Sequence, residues 1–385
     1  MRDLKHLIAF EKLLEEANNP LVRQAKEEGL KALGYTCYFM PEVLLDLPGC
    51  FSVRLRAPGC TSPDIATYYL SGRVCMEGGY NFLDAQMATE TCTVTCRFQE
   101  HLGYMDVIQN PDFFVDFTDV PFKKTKNAID HFKTELQHHV LNPLNEKFGI
   151  DTSDEAIRKA IEQHNEVCEL IQEIGSYRKL DNPTITGFEF QIIQLVTLTC
   201  PKHLILPMLR ETAKEMKTRK PDKKPTYRCK VVLAGSECDD PYFTQLIEGC
   251  GALVVADRHC YGSIESRVPI EIQEGESALD AVARHYLQTS QCPRFMPQDD
   301  MRARKQFLAD LAKEYKADGI IVESNKFCEY WSYERTIDTI ILPRDFGIPV
   351  CSIEKEYING ASGQLRTRFQ AFVESIEIKK IQEAI

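Results

Sequence analysis

The sequence predicts an α/β protein in which two doubly wound parallel sheets are joined by a helical bridging region. Three observations predict it. Strand-like and helix-like runs alternate in the first 122 residues and again from residue 226 onward. Between them, 123–225 carries helical periodicity, few strand signals and a basic connector with prolines. Two distant segments, Phe82 to Cys92 (FLDAQMATETC) and Asp318 to Cys328 (DGIIVESNKFC), share one design: apolar strand, polar turn, cysteine. At 385 residues the chain is too long for one typical core. The expected division is 1–122, N-terminal helices with the first α/β unit; 123–225, helical bridge and linker; and 226–385, the second α/β unit.

Residues 1–33 read as one or two amphipathic helices, because Leu4, Leu7, Ile8, Leu13 and Leu14 recur at helical spacing. Gly34 breaks that pattern, and Thr36 to Phe39 reads as the first strand, stopped by Pro41. Glu42 to Asp46 opens a helix after the proline, where proline and an acid both suit the first turn. Phe51 to Ala57 alternates like a strand, and Thr61-Ser62-Pro63-Asp64 supplies a hydroxyl cap and an early proline for a helix. The strand leading to Cys92 follows Gly78-Gly79, a helix begins by Arg97, and Phe113 to Phe117 is a further short strand. Long helices are expected over Ala128 to Leu141, Asp154 to Ile174 and Phe188 to Leu198.

The second unit starts with the strand Lys230 to Ala234, the helix Tyr242 to Gly249 and the strand Ala252 to Ala256. Helices follow at Ser277 to Thr289 and Met301 to Ala317, the latter with Phe307, Leu308, Leu311 and Tyr315 on one stripe. Gly319 to Glu323 and Ile348 to Ile353 are the remaining strands, and Gly363 to Ile376 is a closing helix.

Composition narrows the function. A net charge of −11 argues against a nucleic-acid face, which needs clustered cations. The basic run Lys214 to Arg228 reads as a solvated connector. No stretch approaches the roughly 20 apolar residues of a membrane span. The first residues lack a continuous apolar h-region, so a cytoplasmic protein is expected. Fifteen cysteines in a reducing compartment do not form a disulfide framework. Cys229, Cys250 and Cys351, in or beside apolar runs, read as small buried hydrophobes.

A cysteine just past the carboxyl end of a parallel strand points into the crevice where such sheets hold ligands. Cys92 and Cys328 therefore predict one soft-metal site between two domains. Cys92 and Cys96 with His101 have a spacing compatible with zinc, but no second paired motif follows, and Cys96 reads as a buried helix residue. Gly235 followed by Asp257 imitates a dinucleotide fold, yet GSECDD lacks the second and third glycines. Asp257 then holds a local turn or lines a substrate channel. No G-x-S-x-G and no Walker loop are present, and nothing in the sequence joins Cys328 to His259 as a thiolate pair.

Three motifs carry a family likeness. Gly79-Tyr80-Asn81-Phe82-Leu83-Asp84 before Cys92, Asp318-Gly319 through Lys326-Phe327-Cys328, and Gly363-Gln364-Leu365-Arg366-Thr367-Arg368 resemble the 2-hydroxyacyl-CoA dehydratase and benzoyl-CoA reductase family. Gly34-Tyr35-Thr36-Cys37, Pro41-Glu42 and Cys292-Pro293-Arg294 fit as well, so the likeness spans nearly the whole chain. The resemblance implies two Rossmann-like domains holding a [4Fe–4S] cluster on three cysteines, with one iron site left open. It implies an acyl-CoA substrate, a paralogous partner subunit and a separate ATP-hydrolysing iron–sulfur activator. It further implies dehydration through a ketyl radical after one-electron reduction of the thioester or, alternatively, a subunit of the benzoyl-CoA reductase type that reduces a ring.

Cys92 and Cys328 carry over as cluster ligands. The third is open between Cys60 and Cys75. Cys75 follows the helix from Asp64 to Ser71 but leaves little room for a helix before Cys92, whereas Cys60 has the separation and a helix start just after it. Alternatively the usual ligand is missing and the chain is a structural partner of a catalytic paralogue. Glu42, Arg294 and Arg368 read as a helix-start acid, a surface charge and a helix-face ion pair.

Overall fold

A computed structural model describes residues 4–56, 78–220, 227–263, 268–356 and 362–383. Its frame is two four-stranded sheets in which every strand pair is parallel. The first contains β1 (Lys31–Tyr35), β2 (Cys50–Arg54), β3 (Ala85–Glu90) and β4 (Phe114–Asp119) in the order β2-β1-β3-β4. The second contains β5 (Cys229–Gly235), β6 (Ala252–His259), β7 (Gly319–Asn325) and β8 (Val350–Lys355) in the order β6-β5-β7-β8. In each sheet the chain steps from its first strand to one side, then returns to that strand's other side. The topology thus reverses between β1 and β3, and again between β5 and β7. A doubly wound sheet opens its ligand crevice at the carboxyl ends of such a pair.

The two reversal points are built alike. Gly34 of β1 is in register with Gln86 of β3, and Gly235 of β5 with Glu323 of β7. A Cβ on Gly34 would collide with the Gln86 side chain, and one on Gly235 with the Glu323 carbonyl. Glycine at both positions lets buried polar side chains sit against the neighbouring strand. The repeat is structural rather than textual.

Among the described residues the helices are α1 (Leu7–Leu13), α2 (Pro20–Glu27), α3 (Glu42–Leu45), α4 (Thr93–Tyr104), α5 (Lys126–Leu136), α6 (Asn142–Phe148) and α7 (Asp154–Ser176). They continue with α8 (Gly187–Thr199), α9 (Lys202–Met216), α10 (Pro241–Glu248), α11 (Ala278–Gln288), α12 (Gln298–Glu314), α13 (Glu329–Phe346) and α14 (Ser362–Glu383). Asn19 starts α2 by accepting from the Leu21 and Val22 amides at 3.1 Å. A reciprocal Thr186–Glu189 capping box starts α8. α8 is buried on every side and touches β2 of one sheet and β6 of the other. With no face turned to solvent this helix fills the space between the sheets, its polar side chains satisfied within the protein. No helix among the described residues is long and apolar enough to cross a membrane.

Three elements differ from the sequence expectation. The first strand is Lys31–Tyr35, not Thr36 to Phe39. Gly29, at φ +86°, ends α2 early, and the Leu30 amide closes back on the Ala25 carbonyl. β3 begins at Ala85 rather than in the FL run, because Asp84 turns inward to accept from the Ala32 amide (2.7 Å) and from Lys26. Phe82 and Leu83 pack into the core beneath that turn. α13, absent from the sequence reading, runs for eighteen residues after Cys328.

Candidate functional site

The reversal points of the two sheets open onto one cleft of about 1110 Å³, measured to include its open mouth. The loops after β1, β3, β5 and β7 all line it, through Cys37, Cys92, Glu237 and Cys328 among others, and Arg294 closes one wall. Four strand ends from two sheets therefore deliver their side chains to one space. Cys260, after β6, and Cys292 also line it.

Cys92 and Cys328 occupy equivalent places. Each is the N-cap residue of the helix following the central strand of its sheet, Cys92 for α4 and Cys328 for α13. Neither side chain caps its helix. Both thiols thus lie at the positive end of a helix dipole, which favours an anionic sulfur. Burial opposes that. It pushes the Cys92 thiol up to about 11, against a 2.8 Å contact with Thr95 Oγ1 that pulls the other way. It pushes Cys328 up to about 12, against the Trp331 amide. Both thiols are neutral at pH 7 unless a metal centre binds them.

The turn that presents Cys328 is specific. Phe327 has φ +67°, an uncommon conformation for a residue with a side chain, and the Cys328 amide donates back to the Asn325 carbonyl. Asn325 is held by Ser236: its amide donates to Ser236 Oγ at 2.8 Å, and Ser236 Oγ donates to the Glu323 carboxylate at 3.2 Å. The β5 and β7 loops are one hydrogen-bonded unit.

Cys37 is the third thiol from a strand at a reversal point, two residues beyond the end of β1. As thiolates, Cys37 would raise the Cys92 thiol and Cys92 would raise that of Cys328, effects smaller than that of burial. Cys92 and Cys328, expected to share one site, both line this cleft. Cys60 and Cys75 lie outside the described residues. Cys37 is present in the motif Gly34-Tyr35-Thr36-Cys37, but placing the strand at Thr36 to Phe39 puts that cysteine inside it instead of past its end.

Among the described residues no three Cys, His, Asp or Glu groups gather as a single ion requires. Cys96 and His101 are not among the cleft-lining residues, and the Cys96 thiol faces the Thr89 carbonyl at 3.9 Å. Asp257 holds a local turn: it accepts from the Ser263 amide at 2.6 Å and pairs with Arg178 at 3.2 Å. His259 is buried and is not among the cleft-lining residues.

Of the three charged residues Glu42, Arg294 and Arg368, the last two differ from the expectation and Glu42 starts its helix as expected. Arg294 is no surface charge: it is 1% exposed, donates from Nη2 to the Val120 carbonyl at 2.9 Å and lies over Phe122 at 4.1 Å. Glu42 does start α3, but it is buried, accepting from Tyr35 Oη at 2.7 Å and pairing with Lys202 at 3.3 Å. Arg368 donates to the Ser352 carbonyl at 2.6 Å and makes no ion pair among the described residues.

Comparison with known proteins gives a consistent picture. A family model described as 2-hydroxyglutaryl-CoA dehydratase, D-component matches residues 37–376. The chain is 23% identical over 381 residues to the (R)-phenyllactyl-CoA dehydratase beta subunit of Clostridium sporogenes, covering 95% of this chain and 97% of that protein. It is 20% identical over 386 residues to one of the subunits of the benzoyl-CoA reductase of Thauera aromatica, covering 96% and 97%. It is 22% identical over 375 residues to the beta subunit of the (R)-2-hydroxyglutaryl-CoA dehydratase of Acidaminococcus fermentans, covering 92% and 95%.

Proposed function

The chain belongs to the 2-hydroxyglutaryl-CoA dehydratase D-component family, and from that premise we propose that it is the iron–sulfur subunit of an ATP-activated (R)-2-hydroxyacyl-CoA dehydratase. The reaction is loss of water from the acyl group through a ketyl radical, after one electron reaches the thioester. A paralogous subunit and a separate ATP-hydrolysing iron–sulfur activator complete the system, which is expected in the cytoplasm. One observation carries the reading: three thiols from the reversal points of two sheets line one cleft.

The donor set suits a [4Fe–4S] cluster better than a single ion. Thiolates are the cluster's customary ligands. Cubane ligands stand further apart than those of one ion, in keeping with a cleft where no three donors crowd together among the described residues. Cys37, Cys92 and Cys328 would hold it, with the α4 and α13 dipoles favouring the thiolate form of the latter two. When bound, such a cluster supplies low-potential electrons and an open iron as a Lewis acid. The protein's own part is enclosure. Tyr38, Phe39, Val94, Tyr330 and Trp331 give the cleft apolar walls that limit water. The Ser236–Asn325 bond fixes the turn presenting Cys328.

The test is an anaerobic preparation assayed for iron and acid-labile sulfide, with single serine variants at five cysteines. Cys37→Ser, Cys92→Ser and Cys328→Ser should each lose most of both, and Cys60→Ser and Cys75→Ser should keep them. Full iron in Cys37→Ser with loss in Cys60→Ser or Cys75→Ser would move the third ligand. No iron or sulfide in the wild-type chain would make it a non-catalytic partner.

A further inference from the structure

We propose that Arg294 is the anion-binding residue of the cleft and that it takes the carboxylate of a small organic ligand. The inference stands on the cleft's geometry and does not require the cluster.

Arg294 is 1% exposed, yet it lines the cleft wall. A guanidinium has five N–H donors. Nη2 donates to the Val120 carbonyl at 2.9 Å, whereas Nε and Nη1 are buried with no hydrogen-bond partner among the described residues. No carboxylate among the described residues lies within ion-pair distance of it. Its other neighbours are the rings of Phe122, Phe39 and Phe295, with centroids at 4.1, 5.1 and 6.0 Å. Rings cushion a cation but cannot accept three N–H donors.

Several other buried arginines have a carboxylate within ion-pair distance, Arg258 with Glu334 at 3.8 Å among them. Arg178 pairs with Asp257 at 3.2 Å, and Arg304 grips Glu334 with two bonds of 2.9 and 3.1 Å. Arg54, the other arginine on the cleft, gives Nε to the Thr36 carbonyl and lies within the field of Glu237. Arg294 alone among these has a buried charge with no carboxylate or other counter-charge nearby and one donor edge, the second Nη2 hydrogen beside that of Nε or Nη1, without a protein acceptor among the described residues. A buried charge without a partner is costly, and proteins retain one where a ligand supplies the counter-charge. The fork selects the ligand's shape, because planar guanidinium matches planar carboxylate with two parallel bonds.

The chain has one tryptophan, and it reports on this space. Trp331 is buried, three residues past Cys328, and lines the same cleft. The full-length chain, kept anaerobic, is titrated with glutarate at constant ionic strength while Trp331 emission is followed. Wild type should give a saturable change. Arg294→Gln should weaken it at least tenfold, and Arg294→Lys, which keeps charge but not the fork, should fall between. Unliganded Arg294→Gln should melt no lower than wild type, since it removes an unanswered charge. An equal response to chloride, or unweakened glutarate binding in a less stable Gln variant, would make Arg294 structural and overturn the proposal. So would a response lost on cluster reconstitution together with a shift of the cluster's reduction potential in Arg294→Gln, because the guanidinium would then answer the inorganic group.

Discussion

His285 sits on α11 at 4% exposure, with Nε2 buried and without a hydrogen-bond partner among the described residues. Burial pulls its pKa down to about 4, and the positive charge of His164 nearby adds to the effect. In the unfolded chain the group titrates near the ordinary histidine value of about 6.5. Between those two values the unfolded chain binds a proton that the folded protein does not, so stability falls as pH drops through that window. Going from about pH 7 to about pH 5 the linkage amounts to ~2 kcal/mol for this side chain. Replacing it with leucine of similar volume removes the titration. Urea unfolding of wild type and His285→Leu at both pH values, followed by far-UV circular dichroism, should show the variant gaining about 2 kcal/mol on wild type at the lower pH. Glu248, which burial raises to about 8, and His259, which burial lowers to about 4, titrate in both proteins and cancel in the difference. A stability gap that stays constant across the two pH values would refute the reasoning.

Two further perturbations follow from the packing. Gly235→Ala should destabilise by about 2 kcal/mol or more, because the new methyl meets a backbone carbonyl that cannot swing away, and calorimetry should show the lower melting temperature; a neutral result would mean β5 and β7 can separate freely. Glu334→Gln should cost roughly 3–5 kcal/mol in denaturant unfolding, since Arg304 at 2.9 Å and Lys305 at 2.7 Å hold this buried carboxylate well below its usual range against the pull of burial, and its loss leaves Arg304 without a counter-charge and Lys305 with Asp338 alone.

What the sequence discloses follows from how each feature is encoded. β5, β6 and β7 are continuous apolar runs bounded by turn residues, and both Cys92 and Cys328 stand after a buried strand, so their placement is legible. Cys37 is hidden by register: β1 includes Gly34, which reads as a breaker until β3 is seen to need its missing side chain. α13 is hidden because its buried face carries Glu334 and Asp338 beside Trp331 and Leu342. Hydrophobic periodicity cannot find a helix whose inner face is answered by Arg304 and Lys305 of α12 instead of by apolar side chains. Arg294 lies in a loop, where no periodicity exists, and its burial comes from Phe39, Phe122 and Phe295, which are distant or adjacent in sequence alike.

The distance between the cysteines of the two sheets is a tertiary quantity, and the central helix is what sets it. The polar side chains of α8 reach toward the second sheet: Gln191 donates to the Cys238 carbonyl at 2.7 Å, and Gln194 to Ser263 Oγ at 2.6 Å and to Asp257 at 3.3 Å. Glu248 accepts from the Gly187 amide at the helix start, again from the second unit. Just past the helix end, Lys202 reaches the other way, to Ser52 Oγ at 3.1 Å and to the carboxylates of Glu42 and Asp46 at 3.3 and 3.2 Å, all in the first unit. Gln191, Gln194, Lys202, Glu42, Ser52 and Asp257 are buried, so breaking a contact on either side strands a polar or charged partner rather than releasing it to water. The helix therefore resists relative sliding of the sheets far more than apolar packing alone would, because apolar surfaces can slip while keeping their buried area. Thiols presented by separate sheets can serve one inorganic centre only if that spacing is fixed, and polar contacts from the α8–α9 segment to both sheets are the means by which this chain fixes it.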